Sequence, residues 1–242
     1  MKIIEPCKRL IPVFLLFSAF PSLGASELFD AMIYETGSGE LLFLYSNRVE
    51  AVVGGRTLTH EYRWPNGELF ARERVVMTPD GFISHSTDFY KLGEFSLLTR
   101  QGSDIDISFT RGGKTREKAI AYPDDPGEEL VFGPTQQEFI RRNLQRFIAG
   151  ETVSFLVPAP EFSTLVRFTM APLPESEYAR EGALVIVMET KSPFLRFLVG
   201  TNFFVIDEGD GRILEIHGPS VLKKWNGGKW KFVDVDILFT YR

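Results

Sequence analysis

Between residues 57 and 64 the chain alternates strictly. Leu58, His60, Tyr62 and Trp64 fall on one side, Thr57, Thr59, Glu61 and Arg63 on the other. A period of two is that of a strand with one buried and one wet face. Pro65-Asn66-Gly67 follows, a sequence suited to a tight turn because Asn and Gly accept positive φ. Leu69 to Met77 reads as the returning strand, Pro79-Asp80-Gly81 as the next turn, and Phe82 to Phe89 as a third strand. Gly54-Gly55, Gln101-Gly102 and Gly112-Gly113 mark further hairpins. Residues 28 to about 121 therefore predict an antiparallel meander.

A polar loop, 123–129 (PDDPGEE), interrupts this pattern and is a candidate midpoint linker. The period then changes. Phe139, Ile140, Leu144, Phe147 and Ile148 recur at helical spacing, separated by Arg141, Arg142 and Arg146. Thr135 with Glu138 has the form of a capping box, and Gly150 fits the stop. The helix is expected over about 136–149, with its apolar stripe on the sheet. Strands resume at 152–157, 164–170, 183–189 and 203–206, while Ser192 to Gly200 fits a short helix or a buried strand equally. Asp210-Gly211 reads as a hairpin turn and Ile213 to His217 as its return. Trp225-Asn226-Gly227-Gly228-Lys229-Trp230 is a turn flanked by aromatics. In the last strand Val233, Val235, Ile237, Phe239 and Tyr241 share a face, opposite Asp234 and Asp236. The fold class predicted is mainly β, a curved antiparallel sheet or half-barrel with one main amphipathic helix.

The amino terminus has its own pattern. Lys2, Lys8 and Arg9 precede an apolar run from Leu10 to Phe20, and Pro21-Ser22-Leu23-Gly24-Ala25 supplies small residues for cleavage. This is the form of a signal peptide, and the run is shorter than the roughly 20 residues a spanning helix needs. The expectation is a signal peptide at 1–25, one β domain at 26–242, a periplasmic location, and no transmembrane span in the mature protein. Losing residues 1–25 removes three basic groups and one acidic group and takes the formal charge from −5 to −7. That charge argues against nucleic acid as a partner, since phosphates need a basic face. Cys7, the single cysteine, departs with the signal and leaves no disulfide chemistry.

No reaction is written in the motifs. His60, His85 and His217 are the only histidines, none spaced as a local metal pair. No serine has a nucleophile-elbow context, and there is no phosphate-binding glycine loop, so neither metal nor cofactor is expected. Asp207 to Gly211 reads as a hairpin turn, lacking the alternating ligands of a calcium loop. Asp104 with Asp106, and Asp234 with Asp236, could serve an acid-pair hydrolase but read first as solvated sheet faces. Aromatic surface remains: His60, Tyr62 and Trp64 on one strand, Phe139 on the helix, and Phe197 in the segment 194–204 are the candidate ligand-binding residues.

The order Glu138-Phe139-Ile140-Arg141, Ile148-Ala149-Gly150-Glu151, Phe155-Leu156-Val157-Pro158, Phe197-Leu198-Val199, Asp207 with Gly211-Arg212-Ile213, and Gly218-Pro219-Ser220 resembles a group of uncharacterised exported β-sheet proteins of Gram-negative bacteria. The likeness covers residues 129–242 and carries no known catalytic residues. In architecture alone, a signal, a long antiparallel sheet and one packing helix are similar to the periplasmic lipoprotein carriers. The leading expectation is a non-enzymatic cell-envelope protein that binds an apolar or lipid-like ligand in its curved sheet. The alternatives are an envelope interaction or scaffolding module with a protein partner and no ligand, and an acid-pair hydrolase.

Overall fold

The computed structural model describes residues 28–122, 129–190 and 200–242. The expected signal peptide, all but Glu129 of the midpoint loop, and the ambiguous segment to Val199 with Phe197 lie outside the described residues.

Fourteen strands form one antiparallel sheet. Eight come first: β1 (Phe29–Glu35), β2 (Leu41–Val52), β3 (Gly55–Arg63), β4 (Leu69–Thr78), β5 (Gly81–Phe89), β6 (Glu94–Gln101), β7 (Asp104–Arg111) and β8 (Lys114–Ala121). A 3-10 turn, Gly133–Thr135, leads into α1 (Gln136–Ile148). Six strands follow: β9 (Val153–Ala159), β10 (Thr164–Pro172), β11 (Ala183–Thr190), β12 (Asn202–Asp207), β13 (Ile213–Asn226) and β14 (Lys229–Tyr241). Each strand pairs with its sequence neighbour, except that β8 and β9 do not pair, and β14 returns to pair with β1. The two meanders thus run outwards from a central β1–β14 pair, leaving β8 and β9 as the edges.

The hairpins follow the turn chemistry. At the Pro65-Asn66-Gly67 turn, Gly67 has φ 88° and its N–H donates to the Trp64 carbonyl at 2.8 Å. Leu58, His60, Tyr62 and Trp64 do share the concave face of the sheet. Their partners across β4 and β2 include Val75, Glu73, Ala71 and Tyr45.

The sheet stays open but curls until its edges overlap. On β9, Val153 and Phe155 pack with α1, whereas Leu156 packs with Val75, Leu98, Ile105 and Ile107 of β4–β7. Both faces of this edge strand are therefore buried. Just before the helix the chain runs parallel beside β9: Leu156 N–H donates to the Glu129 carbonyl and Val131 N–H to the Leu156 carbonyl, both at 2.8 Å. The edge strand β9 is thus capped by a short stretch of the chain itself, which removes one exposed sheet edge.

α1 lies inside the roll. Phe139, Ile140, Leu144 and Phe147 are buried against β9–β13. Each gains roughly 1.5–3 kcal/mol from removal from water, an upper figure because the unfolded chain is partly compact. Two helix expectations are corrected. Ile148 is 43% exposed, because in the last turn Phe147 takes the core-facing position and Ile148 lies about 100° round the helix from it. The capping box does not form. The 3-10 turn extends the helix backwards, so the Thr135 hydroxyl accepts from Phe132 N–H and donates to the Phe132 carbonyl. Glu138 instead pairs with Arg56 of β3 at 2.5 Å. No helix among the described residues is long and apolar enough to cross a membrane.

Candidate functional site

Register brings the first two histidines together. His60 lies opposite Glu73 on β4, and Val75, the next residue of β4 on the concave face, lies opposite His85 on β5. A carboxylate thus stands between two imidazoles. Glu73 Oε1 is 2.8 Å from His85 Nε2. The other Glu73 oxygen meets the chain entering the helix, where Gly133 N–H donates to it. The approach is close enough that a Cβ on Gly133 would lie 2.5 Å from Glu73 Oε2, so only glycine fits without a shift. His60 and Tyr45 complete the group, with the Tyr45 hydroxyl 2.5 Å from His60 Nδ1.

Burial sets the charges. It pushes the His60 imidazole down to about 4, so the ring is neutral at neutral pH and accepts the Tyr45 proton. Burial also raises the Tyr45 and Tyr62 hydroxyls well above their ordinary range and keeps them as donors. For Glu73, burial alone would raise the carboxyl. The His85 hydrogen bond, aided by the neighbouring imidazoles and the Gly133 N–H, outweighs it and holds Glu73 below the usual value. A buried carboxylate stays ionised only where such donors meet it. His85 Nδ1 has no hydrogen-bond partner among the described residues, and the Phe132 ring lies against the imidazole with centroids 4.5 Å apart.

Tyr62 and Trp64 continue the same face. The Tyr62 ring packs on Tyr45 at 4.9 Å, and Trp64 packs on Phe43 at 4.6 Å and Phe70 at 5.0 Å. Phe139 is 2% exposed and packs at a tilt on Phe155 at 4.8 Å in the helix cluster. So His60, Tyr62 and Trp64 belong to one aromatic row, and Phe139 to a different part of the core. Two surface concavities lie on β6–β8. One, of about 590 Å3, is lined by Phe109, Arg111, Lys114, Thr115 and Arg116. The other, of about 490 Å3, is lined by residues including Thr99, Asp106 and Glu117.

The remaining candidates lie outside the roll. His217 is not at a strand end, because β13 continues to Asn226. Its Nδ1 is 2.8 Å from Asp236 and its Nε2 2.9 Å from Glu215, and the Tyr178 ring lies parallel to it at 4.0 Å. Both ring nitrogens are occupied, which leaves none for a metal or substrate. Asp236, read from sequence as half of a solvated pair, is thus a histidine partner. Asp104 and Asp106 are exposed. The Asp207 carboxylate accepts the N–H of Gly209 and Asp210, the bonding of a plain turn. Among the described residues no group of three or more His, Cys, Asp or Glu is arranged to hold a metal.

No family model and no curated protein matches this chain. Among solved structures it is similar to a porin-like protein from Bacteroides uniformis. That alignment covers 89% of this chain and 97% of the other at 8% identity, with a TM-score of 0.26, too low to carry an argument.

Glu73 and Gly133 escaped the sequence reading. A signal was present: on β4 the concave-face residues are Ala71, Glu73, Val75 and Met77, one acid in an apolar row. Such an acid needs buried donors, which here come from β5 and from the chain before α1. The resulting arrangement ties that chain to the sheet.

Proposed function

We propose that this is a non-enzymatic protein of the cell envelope that works through its outer surface, as an interaction module, rather than by holding a ligand inside its sheet. The observation that carries the reading is the occupancy of the concave side. α1 and residues 129–135 pack into it, and the rings of Tyr62, Trp64 and Phe139 pack on the chain's own aromatics. An acyl carrier needs open apolar space beside the helix. The two concavities on β6–β8 are lined by strand residues and not by the helix. The engaged polar groups support the non-enzymatic part, since Glu73 is taken by His85 and Gly133 N–H and both nitrogens of His217 are bonded. The three-part amino terminus supports the envelope location.

Native mass spectrometry of protein released from its own envelope without detergent tests this reading. The expected mass is that of the bare chain. A stoichiometric lipid adduct would overturn it and restore the carrier.

A further inference from the structure

At one end of the roll β1, β3, β5 and β7 finish and β2, β4, β6 and β8 begin. The five exposed large aromatics among the described residues, Tyr90, Phe95, Phe162, Trp225 and Phe232, all sit at this end, between 39% and 61% exposed. The β2–β3 turn at the opposite end exposes aliphatic Val52 and Val53 instead. Trp225 and Phe232 belong to the β13–β14 hairpin, where Trp225 faces Trp230 across the strands, and Trp230 anchors the tip on Phe70 at 6.0 Å.

Ion pairs knit this rim into one surface. The Phe232 ring lies 4.9 Å from Lys223 Nζ, which is 2.9 Å from both Glu94 oxygens. Glu94 pairs with Arg111 at 3.0 Å, and Arg111 pairs with Glu161, beside Phe162, at 3.1 Å. Arg111 and Arg116 also cover the Phe109 ring, which lines the 590 Å3 groove.

The charge here opposes that of the chain, whose formal net charge is −5. Most acids of the rim meet a base: Glu35 and Glu40 meet Lys224, Glu68 meets Lys91, and Glu94 and Glu161 meet the bases already named. Lys114, Lys229 and Lys231 are exposed in addition. Tryptophan and phenylalanine at the tip of a lysine-rich hairpin match a lipid headgroup region, where rings enter the apolar boundary and ammonium groups meet phosphate. A protein partner fits less well, since lysine is depleted from protein interfaces.

We propose that this rim docks the protein on an anionic lipid surface, with Trp225, Phe232 and Phe162 at the headgroup boundary and Lys114, Lys229 and Lys231 facing the phosphates. The proposal rests on the surface-interaction reading above and names its partner. Protein purified as the cell processes it is sedimented with vesicles of equimolar phosphatidylglycerol and phosphatidylcholine, or of phosphatidylcholine alone, while tryptophan emission is followed. Binding to the anionic vesicles is expected, with a blue shift, and it should weaken as salt rises. Lys229→Gln with Lys231→Gln should weaken it roughly thirtyfold. Trp225→Ser with Phe232→Ser should weaken it roughly tenfold or more and abolish most of the blue shift. Val53→Ser, at the other end, is the control and should bind like the parent. Circular dichroism confirms that the variants fold, as expected for exposed positions. No binding to anionic vesicles, or binding unchanged in both rim variants, would overturn lipid docking and point to a protein partner, leaving the interaction reading intact. That reading fails separately, on a lipid adduct in the native mass spectrum.

Discussion

At the scale of single residues, the interior polar group makes stability depend on pH. The His60 pKa falls from 6.5 to about 4 on folding, so below 6.5 the unfolded chain binds a proton that the folded chain refuses. Stability from this group is complete above 6.5 and is lost as pH falls through 4, about 3 kcal/mol in all. Glu73, also depressed, acts in the same direction below its ordinary 4.5. Urea melts between pH 7 and 4 should show this loss, and His60→Asn, which does not titrate but can still accept from Tyr45, should flatten the slope between 6.5 and 4. An unchanged slope would mean that His60 is not the buried neutral base described. Gly133→Ala tests the other end of the group. The new methyl would collide with Glu73, and a cost of about 1–3 kcal/mol is expected in the same melts.

Single elements were largely legible in the sequence, because their rules are local. Alternation located β3, β4 and β14, and the Pro-Asn-Gly turn located their reversal. The helix is where local rules began to fail. Thr135 and Glu138 have the spacing of a capping box, yet Glu138 is taken by Arg56 from a strand some eighty residues earlier. No spacing rule contains that contact. The His60–Glu73–His85 group was hidden for the same reason, since it depends on the register of three strands and on Gly133 arriving from the connection between the two meanders. The helix itself is testable. Leu144→Ala should cost about 2–5 kcal/mol, whereas Ile148→Ala should change stability by less than about 0.5 kcal/mol. Thr135→Ala should cost about 1 kcal/mol, through lost bonds to Phe132 rather than through a helix cap. Equal costs at 144 and 148 would contradict the exposure of Ile148 at the edge of the apolar stripe.

At the scale of the molecule, an open roll has two unequal edges. β9 is pinned, with one face on α1, the other on β4–β7, and residues 129–131 hydrogen-bonded along it. β8 has pairing on one side only, and seven of its eight residues, Ile120 being the exception, are exposed. Lys114, Arg116, Glu117 and Lys118 give it the charge by which natural edge strands resist pairing with another chain. Local opening should therefore begin at β8, where few apolar contacts are lost, and reach β1 and β14 last, since that pair lies between both meanders. Hydrogen exchange followed by mass spectrometry reads this order directly. Amides of β8 that pair with β7 should exchange well before those of the β1–β14 pair, and Leu156→Ala, which loosens the overlap, should hasten exchange in β9 while leaving β1 protected at native pH. If β8 proved as protected as β1, the roll would be closed at that edge in solution, and the overlap would not be what ends the sheet.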